Sequence, residues 1–353
     1  MASLNVLPAT GPVVAPAIGG HTRGWLGLPL QRWRQLTQAG FLMLFILAPV
    51  FDIFRLDLNL KHFIFFGLDW TLGLDDFLAG RASVGQASLN IVVRGFLPLL
   101  AVGGTLIFVG WKWGRVYCGW LCPHFSIVET INQTLRRAIG KLSLWDPKPL
   151  PDRNPDGSET HPDAIWWFAV IPLVIGCAML WATVLLTYLL PPSEVYGNLW
   201  HGTLTRNQAI FLGAGSVAFF VEFMFARHLF CRYACAVGLF QSLAWMANDK
   251  AMVVGFSRSR AKDCASCYSA CDHVCPMRLT PRNVKRMMFA CVQCGQCVDA
   301  CETTQDSNPN GSLLDWVQDR RAESEAAFNV REARTIMLKL VSGNASATGP
   351  AED

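Results

Sequence analysis

Charge is what this chain has least of. Only 16% of its 353 residues are charged, against 52% hydrophobic. An ordinary soluble domain carries about 25% charged residues, so the composition argues against a fully soluble enzyme. It also excludes a disordered chain and a collagen-like repeat. The net charge of +4 gives no basis for a nucleic-acid partner. Scattered cysteines, the mark of a secreted disulfide framework, are missing. Twelve of the thirteen cysteines fall in tight clusters, which favours metal ligands in a reducing compartment. Histidines are few, and only His228 lies in or near an apolar run. Haem b between spans needs facing axial ligands at membrane depth, so no haem is expected.

Long apolar runs are what the chain has instead. A helix needs about 20 apolar residues to cross about 30 Å of hydrocarbon. Ile91–Trp111, Ala164–Leu190 and Gln208–Phe230 reach that length. The first is interrupted only by Arg94, and the second carries no charge before Pro191-Pro192. The third holds Glu222, with Arg227 and His228 near its end. Ala39–Phe51 is shorter. No small-residue cleavage site follows it, so it reads as an uncleaved first span over roughly Thr37–Phe54. Residues 1–34 read as a flexible tail and 35–254 as a transmembrane domain.

Basic residues set the orientation. The stretch 112–163 holds Lys112, Arg115, Arg136, Arg137, Lys141, Lys148 and Arg153, whereas 191–207 holds only Arg206. The chain after Arg227 is again rich in Lys and Arg. Four spans with both termini in the cytoplasm satisfy this bias.

The membrane half contains a repeat. One span leads into Arg115-Val-Tyr-Cys118-Gly-Trp-Leu-Cys122-Pro123, and another into Arg227-His-Leu-Phe-Cys231-Arg-Tyr-Ala-Cys235-Ala236. Each unit is a span, an arginine, an aromatic and a Cys-x3-Cys. Both spans run the same way, so both pairs are expected at the cytoplasmic membrane face. Helical i, i+4 spacing would put each pair on one face. Cys118, Cys122, Cys231 and Cys235 then offer four soft sulfurs. These suit Cu(I), a third iron–sulfur cluster or a dithiol–disulfide cycle. Simple packing is the plain alternative.

After Gly255 the composition changes. Cys264-x2-Cys267-x3-Cys271-x3-Cys275-Pro276 is followed by Cys291-x2-Cys294-x2-Cys297-x3-Cys301. Bacterial two-cluster ferredoxins use C-x2-C-x2-C-x3-C-P twice, and the fourth cysteine of each block serves the other cluster. This predicts one [4Fe–4S] cluster on Cys264, Cys267, Cys271 and Cys301. A second falls to Cys291, Cys294, Cys297 and Cys275. Cys-x2-Cys pairs also suit zinc, but eight cysteines are too many and too dense for one zinc ion. Residues 255–311 read as this module, and 312–353 as a helical or flexible tail with a charged helix over Ser312–Leu340. The fold class is thus an all-α polytopic membrane unit of about four helices plus a small α+β ferredoxin-like module.

Gly114-Arg-Val-Tyr-Cys-Gly-Trp-Leu-Cys-Pro123, Phe230-Cys-Arg-Tyr-Ala-Cys235, Phe240-Gln-Ser, Asn248-Asp-Lys250 and the paired blocks resemble the CcoG (FixG, RdxA) family. These are membrane-bound iron–sulfur proteins accessory to cytochrome c oxidase assembly, with NapH- and NosR-type electron-transfer proteins as wider relatives. Phe63–Trp70 is similar to the family's first external loop. The sequence departs from the family in three places. Ala236 stands where proline is usual, Cys267 and Cys271 have an extra residue between them, and the immunoglobulin-like domain has no counterpart. The resemblance implies reduction of Cu(II) to Cu(I) in the bacterial inner membrane, with the catalytic role on the four membrane cysteines. It also implies a cytoplasmic electron donor and copper-delivery or oxidase-assembly partners. Electron transfer between the quinone pool and a partner oxidoreductase is the alternative. A non-redox copper chaperone or scaffold is a third.

Of the remaining residues, Glu222 reads either as a functional acid or as a partner of Arg227 or Arg115. Cys177 and Met179 read as packing. His124, beside the first pair, reads as a metal ligand, a proton donor or an interfacial residue.

Overall fold

The computed structural model describes residues 29–327. Most of the expected amino-terminal tail, and residues 328–340 of the expected carboxy-terminal helix, lie outside them. Among the described residues three helices are long and apolar enough to cross a membrane. They are α2 (Val84–Trp113), α5 (Ala164–Thr187) and α6 (Arg206–Ala226).

The expected first span shifts toward the amino terminus. Helix α1 covers Leu30–Leu47, bracketed by Pro29 and Pro49, which do not continue a helix. Its first turns carry Gln31, Arg32, Arg34 and Gln38, so it falls short of the apolar spans in composition. It nevertheless links the two ends of the molecule. Gln31 Nε2 donates to the Cys294 carbonyl at 3.2 Å. At the other end Phe45 stacks on Tyr188, just past α5, at 5.2 Å.

A small antiparallel sheet caps that far end: β1 (Phe54–Asp57), β2 (His62–Phe65) and β3 (Leu68–Trp70). It repairs a defect in α2. Pro98 has no N–H, which leaves the carbonyl of residue 94 without its helical donor. Ile91–Phe96 widens into a π-helical turn, and Trp70 Nε1 donates to the Arg94 carbonyl at 2.9 Å.

Inside, α5 packs along α6 and against α4 (Pro123–Ile139). Val170, Val174, Ala178 and Trp181 meet Ile127, Val128, Ile131, Phe223 and Met224 in one buried cluster. Small residues permit close approach, as is usual between membrane helices. A Cβ on Gly215 would lie 3.3 Å from Ala182 Cβ. Helix α2 instead packs on α7 (Ala236–Met246), where a Cβ on Gly110 would lie 3.1 Å from Gln241 Cα.

The cysteine-rich module is closed by β4 (Val253–Phe256) pairing antiparallel with β5 (Leu314–Val317). This corrects the helix expected from Ser312. Leu314 and Val317, on opposite faces of the strand, are both buried, and the segment pairs with β4 from Val253↔Val317 to Phe256↔Leu314. Helix resumes only at α9 (Arg320–Ala327), and the module extends a few residues beyond both expected boundaries.

Arg34 fastens module, α1 and α4 together. Its guanidinium makes a two-point ion pair with Glu129 at 2.8 and 2.5 Å, both residues being buried. It also donates to the Gly119 carbonyl at 3.2 Å. Gln296 donates to the same carboxylate. Breaking a buried pair by removing one partner costs about 3–5 kcal/mol. Glu129→Ala is therefore expected to lower unfolding stability in detergent by that order. An Arg34→Met, Glu129→Leu double variant is expected to recover most of it; losses as large in the double would show that packing, not the stranded charge, is responsible.

Candidate functional site

Two cavities divide the eight module cysteines. Cys264, Cys267, Cys271 and Cys301 line one, cavity one, with about 270 Å³ of space that opens in part to solvent. Cys275, Cys291, Cys294 and Cys297 line the other, of about 340 Å³. The crossover has a simple cause. Helix α8 (Gln296–Thr304) carries Cys297 and Cys301 one turn apart, so a single helix face feeds both cavities.

Local backbone shapes these loops for sulfur. Gln293 (φ 55°) and Gly295 (φ 73°) are both left-handed, which folds the C-x2-C-x2-C loop back around its cavity. The extra residue of the first block is absorbed by consecutive left-handed residues, Tyr268 (φ 48°) and Ser269 (φ 57°). Backbone N–H groups then meet sulfur. Leu279 N donates to Cys275 Sγ and Leu313 N to Cys301 Sγ, each at 3.4 Å. Burial pushes the thiols of Cys291 and Cys294 up to about 12. Burial, with Asp272 alongside, does the same to Cys271. Ligation must therefore displace tightly held protons.

The donor set fits a [4Fe–4S] group: four sulfurs around an apolar-walled cavity, with amide donors aimed at sulfur. A single zinc ion would draw its sulfurs to about 2.3 Å.

The membrane cysteines do not lie on continuous helices, as the i, i+4 spacing suggested. Cys118 sits in the short helix α3 (Val116–Trp120), and Cys122 is the extended residue that begins α4. Cys231 sits in the π-helical turn Phe230–Ala234, and Cys235 begins α7. Each pair straddles a helix break. Pro123 at the start of α4 suits the first of those breaks, and the positive φ of Gly114 and Arg227 turns the chain ahead of each pair. Backbone amides of His124 and Phe125 consequently point at the Cys122 sulfur.

The pairs lie back from the end of α2, alongside the helices. Contacts Gly110–Gln241 and Gly114–Trp245 step along α2 and α7 in the same sense. Cys118 Sγ meets Gln241 Oε1 at 3.4 Å, one turn inward from Gly114. Cys235 begins α7 roughly 9 Å further in by helical rise. The four thiols lie within electrostatic reach of one another.

Cavity two adjoins this thiol group. A Cβ on Gly119 would lie 2.2 Å from the Val292 carbonyl oxygen and 3.2 Å from Cys294 N. Trp120 Nε1 donates to the Gln293 carbonyl at 3.0 Å. Cys118, Cys231 and Trp245 share one buried cluster with Cys275, Val292 and Cys294.

Glu222 meets His124, with Oε1 3.2 Å from Nε2, and Arg227 lies within its electrostatic reach. The His124 ring lies among Trp181, Phe223 and Phe230. Cys177 packs at the edge of the α4–α5–α6 core, and Met179 is 55% exposed. Sequence reading passed over Gly119 and the interior position of Arg115; the only signal was an arginine ahead of each cysteine pair.

Residues 95–141 and 208–250 match the family described as 4Fe-4S binding domain. Each segment contains one membrane Cys-x3-Cys pair. The ferredoxin-type protein NapH of Haemophilus influenzae is 23% identical over 284 residues, covering 76% of this chain and 85% of that protein. Protein RdxA of Cereibacter sphaeroides is 29% identical over 242 residues, 62% of this chain and 46% of RdxA. Regulatory protein NosR of Pseudomonas aeruginosa is 25% identical over 268 residues, 71% of this chain and 34% of NosR. No solved structure matches the chain. The chain is thus related to the NapH-, NosR- and RdxA-type iron–sulfur proteins, and its apolar helices agree with a membrane protein.

Two outcomes follow for the site. Gly119→Ala is expected to cost about 1–3 kcal/mol by overpacking, whereas Gly104→Ala, with nothing within 4 Å, should be neutral. Equal unfolding midpoints for both would remove the tight approach. In metal-free protein Cys291 and Cys294 stay protonated at neutral pH and become thiolates only as pH rises toward their raised pKa. Their alkylation should therefore quicken about tenfold per pH unit from pH 7 past 9, where ordinary thiols level off. A plateau near pH 9 would contradict the raised values.

Proposed function

We propose that this chain is a bacterial inner-membrane electron carrier in which two [4Fe–4S] clusters relay single electrons to the membrane cysteines. The carrying observation is the shared core of cavity two and the membrane thiols, with Gly119 against the Val292–Cys294 backbone. The proposed division is a membrane unit up to about residue 252 and a cytoplasmic ferredoxin module from Val253. Residues Cys264, Cys267, Cys271 and Cys301 hold cluster one; Cys275, Cys291, Cys294 and Cys297 hold cluster two. When bound, each cluster supplies a one-electron relay, while the protein sets spacing and potential. Electrons enter from a cytoplasmic donor at cluster one, which lies away from the membrane thiols, and leave through cluster two.

Cu(II) is the proposed acceptor substrate: one electron reduces it to Cu(I), which four soft sulfurs are suited to receive. Copper-delivery or oxidase-assembly proteins would then take Cu(I) onward. One observation favours a second reading, transfer between the quinone pool and a partner oxidoreductase. The chain covers 85% of NapH but 46% of RdxA. The proposed topology has four crossings, with α1 the fourth, because α1 contacts both ends of the molecule.

Protein purified without oxygen should hold about eight irons with matching sulfide. Cys291→Ser should remove mainly cluster two, and Cys301→Ser should damage cluster one. Stoichiometric zinc would defeat the cluster reading. Cu(II) should oxidise the reduced clusters, and Cys122→Ser or Cys235→Ser should abolish this while both clusters stay reducible. Quinol-dependent cluster reduction with no response to Cu(II) would favour the second reading. Copper binding unaffected by cluster loss would favour a scaffold. A cytoplasm-only reporter should work after Lys141 and a periplasmic one near Ser193; the reverse pattern would overturn the orientation.

A further inference from the structure

Arg115 follows the end of α2 and is 1% exposed. Its Nη2 donates to the Cys231 carbonyl at 2.7 Å. Nε and Nη1 are buried without a nitrogen or oxygen partner, and the Cys118 thiol lies beside the guanidinium. Space for the guanidinium exists only because residue 238 is glycine: a Cβ there would lie 2.2 Å from Nη2 and 2.8 Å from Cζ. A buried charge without a counter-charge is strongly unfavourable, so something negative must answer it in a working state of the protein.

The guanidinium acts on sulfurs from three places. Cys118 belongs to the first membrane pair, Cys231 to the second and Cys291 to cavity two, and each lies within its electrostatic reach. The other buried arginine beside a cysteine pair, Arg227, has all three nitrogens unpartnered, but its charged neighbours are Asp146 and Glu222. Arg115 alone of the two stands between the module and the membrane thiols.

We propose that Arg115 is the electrostatic bridge between the cavity-two centre and the membrane thiols, its fixed positive charge answering the negative charge that arrives at either. This rests on the two-cluster reading given above. Reduction of the cavity-two centre adds one electron and moves no atom. A nearby cation stabilises the added charge by Coulomb attraction, strongly where water is excluded. Arg115 therefore makes the cavity-two centre easier to reduce than the same centre without it. The centre in cavity one is set apart from this, since the charged groups beside Cys264 and Cys271 include Arg282 and not Arg115. Electrons entering at cluster one are thereby drawn inward. Arg115 acts through these groups as a positioning residue, with Nε and Nη1 available to thiolates of Cys118 and Cys231.

The test is an EPR-monitored redox titration of the full-length protein in detergent, comparing wild type, Arg115→Gln, Arg115→Lys and Gly238→Ala. Arg115→Gln should move the cavity-two potential to a more negative value and leave the cavity-one potential in place. Arg115→Lys should restore part of the shift. Gly238→Ala, which displaces the guanidinium but keeps its charge, should give a smaller shift in the same direction. In metal-free protein, iodoacetamide labelling of Cys118 should slow several-fold in Arg115→Gln. An unchanged cavity-two potential at full iron content would overturn the proposal, as would equal shifts at both centres. If Arg115→Gln does not accumulate, an unchanged potential in Gly238→Ala overturns it. Wild-type protein lacking iron and any cluster signal would remove the two-cluster reading itself, a result visible before any variant is made.

Discussion

The nearness of the module to the membrane thiols depends on one close approach of backbone to backbone. The loop between Cys118 and Cys122 touches the loop between Cys291 and Cys294 at Gly119, where even a methyl group would overlap the Val292 oxygen. That contact fixes how near the soluble-side sulfurs come to the membrane thiols. The hydrogen bonds around it point the same way. Trp120 reaches the Gln293 carbonyl, Arg34 and Gln38 reach the Gly119 carbonyl, and Gln31 reaches the Cys294 carbonyl. Three separate segments thus hold one interface, and each meets it through a main-chain carbonyl. Such contacts set position without requiring large side chains between the two sulfur groups.

Electrostatics in the interior follow a different logic from packing. Arg34 is buried and fully answered by Glu129, and its role is architectural. Arg115 and Arg227 are equally buried and largely unanswered. Each stands just before its cysteine pair, Arg115 three residues ahead of Cys118 and Arg227 four ahead of Cys231. A duplicated helix–arginine–cysteine unit therefore brings two cations toward one place, and the tertiary arrangement separates their surroundings. One faces sulfur and the other faces carboxylates.

The module cysteines were the most legible part of the sequence, because short-loop spacing fixes which sulfurs can meet. The division of Cys264, Cys267, Cys271 and Cys301 from the other four follows that spacing, and the structure gathers the same two sets around two cavities. The three long apolar runs were legible from composition alone. Helix α1 was not, because its polar first turns serve tertiary contacts with Cys294 and Glu129 that no local pattern announces. Strand β5 is hidden in the sequence, since its buried residues, Leu314 and Val317, are spaced i, i+3 as on a helix. The breaks at Cys122 and Cys235 escaped because Cys-x3-Cys mimics a helical period. Only Pro123 hinted at the break, and Ala236 hid its counterpart. The Glu222–His124 pairing joins residues far apart in the chain, and distance in sequence hides such partners.

The placement of Cys297 and Cys301 on consecutive turns of α8 has a consequence for biogenesis. On the two-cluster reading proposed above, one nine-residue helix would be anchored to both centres, and neither half of the module would have a backbone of its own. A newly made chain given only one centre leaves one turn of α8 without its anchor, and β5, packed beside it, loses part of its support. Maturation is then close to all-or-none. Damage by oxygen to either centre would loosen the same helix, exposing a partly filled chain to proteolytic disposal before it could divert electrons.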